Sequence, residues 1–172
     1  MKAPIGIREA EPKDLLALMQ LFEYARRFME LTGNPHQWVD GYPQRALMEK
    51  EIAAGHCFVC LDGRGRIVGT FCFIVGDDPT YALIENGHWL NEEPYGTIHR
   101  LASDGTVRGV GDACIAWCLE RMPNLRADTH EDNRVMQNLL RKNGFKTCGT
   151  IYTHNGTPRL AFQLEKTNPV PI

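Results

Sequence analysis

The sequence predicts a single-domain α/β (α+β) protein, with one mixed central sheet of about six or seven strands flanked by about four helices. Three observations carry that prediction. The chain has 172 residues, the length of one domain, and a domain of that size removes about 70% of its unfolded surface from water. Its composition, 43% apolar, 23% charged and 9% aromatic, is that of an ordinary globular protein. The apolar residues also change period along the chain, alternating in some stretches and recurring at helical spacing in others, with Gly and Pro between them.

The elements follow in order. Ile5 to Glu9 reads as a short strand. Pro12 and Asp14 sit where a first helical turn favours Pro and an acid, and Leu15, Leu18, Met19, Phe22, Ala25 and Met29 continue at helical spacing until Thr32-Gly33-Asn34-Pro35. A loop carrying Trp38 and Tyr42 leads to a second helix, Arg45 to Ala54, closed by Gly55. Cys57 to Leu61 and Ile67 to Val75 are strands across the Asp62-Gly63-Arg64-Gly65 turn. Asp77-Asp78-Pro79 breaks the chain, and Tyr81 to Tyr95 reads as irregular with part of a strand. Thr97 to Ser103 is a strand that enters a glycine-rich turn. Ala113 to Leu119 is apolar nearly all round, which predicts a helix buried on every side. Leu125 to Thr129 is a strand, Asn133 to Asn143 a helix closed by Gly144, and Phe145 to Tyr152 pairs with Arg159 to Leu164 across His154-Asn155-Gly156-Thr157. The domain covers residues 1–165, and residues 166–172 form a frayed tail.

Charge and cysteine usage exclude several functions. There are 19 Lys+Arg against 21 Asp+Glu, a formal charge of −2, without the basic excess of a nucleic-acid-binding protein. Apolar runs fall short of the ~20 residues of a membrane helix, and no signal peptide opens the chain, so a cytoplasmic, membrane-free protein is expected. Cys57-Phe58-Val59-Cys60 has the spacing of half a zinc knuckle, but no second pair completes it. In a strand those two thiols point to opposite faces. Cys57, Cys60, Cys72, Cys114, Cys118 and Cys148 are therefore expected to be buried thiols, and no metal is expected.

The most informative segment is Leu101 to Ala113. A strand runs through a glycine-rich turn into a helix, an arrangement in which backbone N–H groups and a helix N-terminus can hold an anion. It is neither the dinucleotide fingerprint nor a P-loop, since the third glycine and the Gly-Lys-Ser/Thr are missing. Alone it fits an anion site and a plain turn equally well. Arg108-Gly109-Val110-Gly111-Asp112-Ala113, however, matches Q/R-x-x-G-x-G/A. About twenty residues later, Asn133 to Phe145 is similar to N-x-x-A-x-x-L-Y-x-K-x-G-F, with Asn133, Leu139, Lys142, Gly144 and Phe145 in place. On these two ordered blocks and the element order the chain resembles the GCN5-related N-acetyltransferase (GNAT) superfamily.

That resemblance implies a GNAT fold and an enzyme that moves acetyl from acetyl-CoA to a primary amine of a small molecule or peptide, by direct transfer in a ternary complex. The strand before the turn would splay from its neighbour. Its residues Leu101, Ala102 and Ser103 would meet the pantetheine arm, with Leu101 and Ser103 at the contact. The N–H groups of Arg108, Gly109, Val110, Gly111, Asp112 and Ala113 would hold the pyrophosphate, with Gly111 keeping side chains out of its way. Asn133 would bond to the cofactor arm or cap its helix. A homodimer is compatible with the family. Two departures stand out: Leu140 occupies the position of a Tyr that protonates the thiolate in relatives, and Thr97 that of a Glu base. A non-catalytic acetyl-CoA-binding regulatory module is the alternative. For a catalyst, His99 is the candidate base, two residues after Thr97 and so on the same face. His130, Tyr152 and Tyr95 are weaker candidates for proton transfer. Residues 33–42 and 77–95 would shape the acceptor pocket, with Trp38, Tyr42, Tyr81, Trp89 and Tyr95 as an aromatic wall. The acids Asp77, Asp78, Glu85, Glu92 and Glu93 would favour a cation.

Overall fold

The structure, a computed structural model, describes residues 4–166. The order is β1 (Gly6–Glu9), a 3-10 turn (Pro12–Asp14), α1 (Leu15–Leu31), α2 (Arg45–Ala53), β2 (Cys57–Leu61), β3 (Ile67–Val75), a second 3-10 turn (Pro79–Tyr81), β4 (Gly96–Ser103), α3 (Val110–Arg121), β5 (Asn124–Thr129), α4 (Arg134–Lys142), β6 (Lys146–Tyr152) and β7 (Pro158–Glu165). The seven strands form one sheet in the order β1-β2-β3-β4-β5-β7-β6. Every pairing is antiparallel except β4 with β5. The order of helices and strands is the one expected, and the mixed sheet and four α-helices are as predicted.

Three clusters hold the sheet. On one face Leu18 and Phe22 of α1 and Met48 and Ile52 of α2 pack with Cys57, Val59 and Cys72. On the other, Val110, Cys114, Ile115 and Cys118 of α3 and Leu140 of α4 pack with Cys60, Phe71, Leu125 and Phe162. Cys57 and Cys60 thus serve opposite faces, as the alternation of a strand requires. All six thiols are free and buried. The reading of α3 as buried all round is corrected. Its buried residues form one stripe, while Ala116 and Glu120 are exposed, because α3 covers the sheet from a single side.

The segment 76–95 was the hardest to read. It contains no strand beyond an isolated bridge from Glu85 to Thr150. It lies over the outer half of the sheet, where a helix would otherwise be needed. Tyr81, Trp89 and Tyr95 are buried there with Ile151 and Ala161 in a third cluster, so they close the core and are not the wall of a pocket. A polar layer pins the segment to the strands. Gln163 accepts from the Leu90 N–H at 2.8 Å and donates to Asn124 at 2.8 Å. Arg126 donates to the Asn91 carbonyl at 2.8 Å, with its guanidinium 4.2 Å from the Trp89 ring centre and 4.0 Å from that of Tyr95. Charge and polarity buried under a loop are tolerable only when such partners are present. At the chain end, the Lys166 N–H donates to the Pro123 carbonyl at 2.8 Å, which ties down the first residue of the expected frayed tail. The rest of that tail, 167–172, lies outside the described residues.

Gln163→Leu would leave the Leu90 N–H without its acceptor and take from the Asn124 side-chain oxygen its 2.8 Å donor. A loss of about 1–3 kcal/mol is expected. At this chain length that lowers the thermal midpoint by roughly 3–10 °C, read by a melt followed by circular dichroism.

Candidate active site

The site begins with a backbone event. β4 and β5 pair only at Gly96–Leu125 and Thr97–Arg126. Beyond Thr97 they splay, and the β4 edge is left without a strand. Between His99 and Ala102 the register against β3 slips, with Thr70 opposite Ala102 but Cys72 opposite His99. Arg100 is the extra residue and takes φ +55°, a left-handed value uncommon outside glycine. The bulge resets the alternation. Ile98 and Leu101 pack toward the α3 side. On the other side Ala102 joins the α1–α2 core, while His99 faces an open cavity. The Asp104 N–H bonds the Val68 carbonyl, so alternation turns the backbone groups of Ser103 and Leu101 toward the splay.

Two cavities meet there. One, of about 530 Å³, is lined by Tyr24 and Phe28 of α1, Leu101 to Ser103, the glycine turn and the start of α4. The other, of about 610 Å³, is lined by the 37–44 loop, Asp77 to Thr80, Thr97 to Arg100, Asp128 and Arg159. Both include Met29, Leu101, Asn133 and Met136. The two therefore lie side by side across those four residues, and together they are of a size suited to two ligands.

The first cavity has the chemistry of an anion site at one end. Gly109 caps α3 with φ +86°, and the first intrahelical bond is from the Ala113 N–H to the Gly109 carbonyl at 3.0 Å. The N–H groups of Gly109, Val110 and Gly111 precede it and have no acceptor among the described residues. They point along the helix dipole. Of the sequence-derived set, Leu101, Ala102, Ser103, Gly109, Val110, Gly111, Asp112 and Asn133 line this cavity. Two do not: Arg108 is exposed and off the lining, and the Ala113 N–H is already used inside the helix. Gly111 is also required for another reason than expected. A Cβ there would lie 2.5 Å from Leu139 Cδ2, so the glycine lets α3 approach α4. Asp112 accepts from Lys142 at 3.1 Å and Asn143 at 2.9 Å, which neutralises an acid beside the anion site. The Asn133 carbonyl oxygen caps α4 through the Met136 N–H at 3.0 Å, and its amide donates to Gln37 at 2.9 Å.

The second cavity holds His99. Its Nε2 lies 3.0 Å from Asp78 Oδ2. Burial pushes the Asp78 carboxyl upward, but the bonds from His99 and Thr80 outweigh it and hold the group at about 2. An ionised carboxylate accepts, so Nε2 carries a proton and, in the neutral ring, the lone pair lies on Nδ1. Nδ1 has no partner among the described residues, and His99 lines the cavity. Arg100 donates to the Tyr42 hydroxyl at 2.7 Å and pairs with Glu51 at 3.1 Å. Trp38 and Tyr42 do line the cavity. The other candidates for proton transfer stand elsewhere. His130 Nδ1 accepts from the Asp132 N–H at 3.0 Å, the Tyr152 hydroxyl donates to Glu85 at 2.9 Å, and the buried Tyr95 hydroxyl accepts from the Asp78 N–H at 2.8 Å. Leu140 belongs to the main core.

Three site residues escaped sequence reasoning. Gln37 accepts from Asn34, Thr129 and Asn133 at 3.0, 3.2 and 2.9 Å, which fastens the 32–44 loop where the two cavities adjoin. Asp128 accepts from the Tyr81 hydroxyl at 2.6 Å. Arg159, on β7, points into the second cavity. Their partners lie far off in the chain, so no local spacing marks them.

A sheet opened between two parallel strands, with a glycine-capped helix facing the opening, is the arrangement that the family resemblance implied. The comparisons name the family. The family model described as "Acetyltransferase (GNAT) family" matches residues 18–145, and the chain belongs to that family. None of the curated proteins matches. Among solved structures, a GNAT-family acetyltransferase from Streptococcus agalactiae is 32% identical, with 98% of this chain and 99% of that one covered and a TM-score of 0.88. A GNAT-family acetyltransferase from Listeria monocytogenes is 20% identical over 96% and 98%, with a TM-score of 0.68. A phosphinothricin acetyltransferase from Sinorhizobium meliloti, solved in complex with AcCoA, is 18% identical over 99% and 94%, with a TM-score of 0.62. The last two share the fold.

Two outcomes follow from this geometry. Gly111→Val is expected to lose about 1–3 kcal/mol of stability without any ligand, and Leu139→Ala in the same chain should recover part of it. A double-mutant cycle by denaturant unfolding measures the coupling. The Asp78 carboxyl is held below its ordinary 3.8 in the folded state. Its contribution to stability is thus complete above about pH 4 and is lost as the pH falls toward about 2. Asp78→Asn should flatten that part of the stability–pH curve while lowering stability at pH 7.

Proposed function

We propose that the protein is an acetyl-CoA-dependent N-acetyltransferase that moves an acetyl group to a primary amine within one ternary complex. The observation that carries this reading is the juxtaposition of the two cavities across Met29, Leu101, Asn133 and Met136. One end offers unpaired N–H groups to an anion and the other a histidine oriented by a carboxylate.

The residues present fit the cofactor. The N–H groups of Gly109, Val110 and Gly111 suit a pyrophosphate, since they satisfy an anion without a side-chain charge. The β4 edge at Leu101 and Ser103 supplies donors and acceptors for the amide-bearing arm. Tyr24 and Phe28, exposed apolar residues of α1, line the first cavity. Acetyl-CoA supplies the acetyl group as an activated thioester.

His99 does the proton work. Nδ1 accepts a proton from the incoming amine as the amine nitrogen forms its bond to the acetyl carbon and the bond from that carbon to sulfur breaks. Asp78 holds the ring in the accepting tautomer and stabilises the imidazolium that results. The electron pair leaves on sulfur. The Tyr152 hydroxyl donates to Glu85, and Tyr95 is buried in the third cluster away from both cavities, so the thiolate takes its proton from solvent. Much of the remaining acceleration comes from holding amine and thioester together.

Acetyl-CoA at 100 times its dissociation constant should stabilise the fold by about 2.7 kcal/mol, seen as a melt raised by several degrees. No shift at millimolar acetyl-CoA overturns the reading. His99→Gln should keep that shift and reduce turnover by roughly 100- to 10,000-fold, assayed as release of CoA thiol. Turnover within a few-fold of the parent would remove His99 from the mechanism.

A further inference from the structure

The second cavity contains a cation with no counter-ion. Arg159 lies on β7 and is 8% exposed. Its terminal nitrogens donate to the carbonyls of Pro158 and Gln37, both at 3.1 Å. The Nε–H and the second N–H on each terminal nitrogen have no acceptor among the described residues, and Nε is not sealed in the interior. No carboxylate among the described residues lies within ion-pair distance of it. Burial pushes its guanidinium below the usual value against attraction from Asp128 and Tyr42, yet arginine stays charged in proteins. The other guanidinium on this lining, that of Arg100, is neutralised by Glu51 at 3.1 Å.

The sheet places this charge opposite the base. Thr97 pairs with Arg126, and Asp128 with Ala161. Alternation then sets His99, Asp128 and Arg159 on one face of β4, β5 and β7. Asp77, Asp78 and Asp128 line the same cavity, so the space offers a cation-binding side and a single unpaired guanidinium. Two charges of opposite sign on one small ligand match it. A dianion such as a phosphate monoester would meet those acids unfavourably. A carboxylate presents the planar, bidentate partner that a guanidinium favours.

We propose that the amine acceptor carries a carboxylate, as an amino acid or a short peptide does, and that Arg159 binds this carboxylate while His99 faces the amine. This rests on the acetyltransferase reading above. Arg159 is then a specificity-determining residue, and acceptors lacking the carboxylate leave it buried and unpaired.

The test is a panel of matched acceptors, amino acids and dipeptides each beside its C-terminal carboxamide, assayed for CoA thiol release at fixed acetyl-CoA. The parent is expected to prefer the carboxylate member of its best pair by about 100-fold or more in kcat/KM. Arg159→Gln should reduce that preference to a few-fold, mostly through KM. It should lower kcat/KM for the carboxamide far less than for the carboxylate, and leave the melt shift with acetyl-CoA unchanged, since that shift does not involve the acceptor. Arg159→Lys should restore part of the preference. If the parent acetylates only carboxylate-free amines, or both members equally, the inference fails while the acetyltransferase reading stands. If Arg159→Gln lowers both members alike, the arginine only tethers Gln37 and the inference also fails. Absence of turnover across the panel together with absence of an acetyl-CoA melt shift overturns both.

Discussion

The site depends on a parallel contact that is only two residues long. Gly96 and Thr97 hold β5, and nothing after them does. Closeness at that point is itself constrained. A Cβ on Gly96 would come within 2.5 Å of the Phe73 ring, so glycine is what lets β3, β4 and β5 lie together before the strands part. Had pairing continued, the polar edge of β4 would be used up in the sheet. The splay thus turns unpaired backbone groups, ordinarily a liability, into a surface that a ligand can complete.

The bulge at Arg100 solves a second problem on the same strand. A regular strand would put His99 and Ala102 on opposite faces. The bulge brings both to the α1–α2 side, so His99 and the strand's last apolar anchor share it. Its left-handed residue is held in place by what its side chain reaches, Tyr42 from the loop and Glu51 from α2. Unfavourable backbone conformations persist where the surroundings over-determine them. Arg100 thereby links the bulge to the loop that Gln37 fastens, and the second cavity has its walls fixed from both ends.

Opposite α3 and α4, the outer half of the sheet is covered by an irregular segment. It works because β5 and β7 present Asn124, Arg126, Asp128 and Gln163 to a loop whose own carbonyls and amides need partners. An apolar strand face would have left those backbone groups unsatisfied. The same choice puts charge next to the second cavity, where Asp128 and Arg159 form part of the lining. The polarity that holds the loop is therefore continuous with that of the cavity.

Much of this was legible in the chain. The element order, the strand-to-helix glycine turn and the family motif rest on local spacing, and spacing is what a sequence records directly. The position of His99 on the cavity face also followed from alternation, because the bulge falls just after it. The carboxylate that orients it did not. Asp78 sits twenty-one residues earlier in a break between elements, and only the return of that loop over β4 brings it to the imidazole. The packing role of Gly111 was hidden for a similar reason. A glycine in a strand-to-helix turn and a glycine beneath a neighbouring helix look the same in one dimension, and the contact with Leu139 comes from another helix. Tyr81, Trp89 and Tyr95 carry no periodic signal, so their burial depended on where an irregular segment came to rest. Arg159 illustrates the limit most clearly. On the sequence it is simply the first residue of the strand expected to pair with Phe145 to Tyr152. Its unpaired charge exists only once β7 has been inserted between β5 and β6 and the 37–44 loop has closed above it, since whether a charge has a partner is decided by three-dimensional neighbours alone.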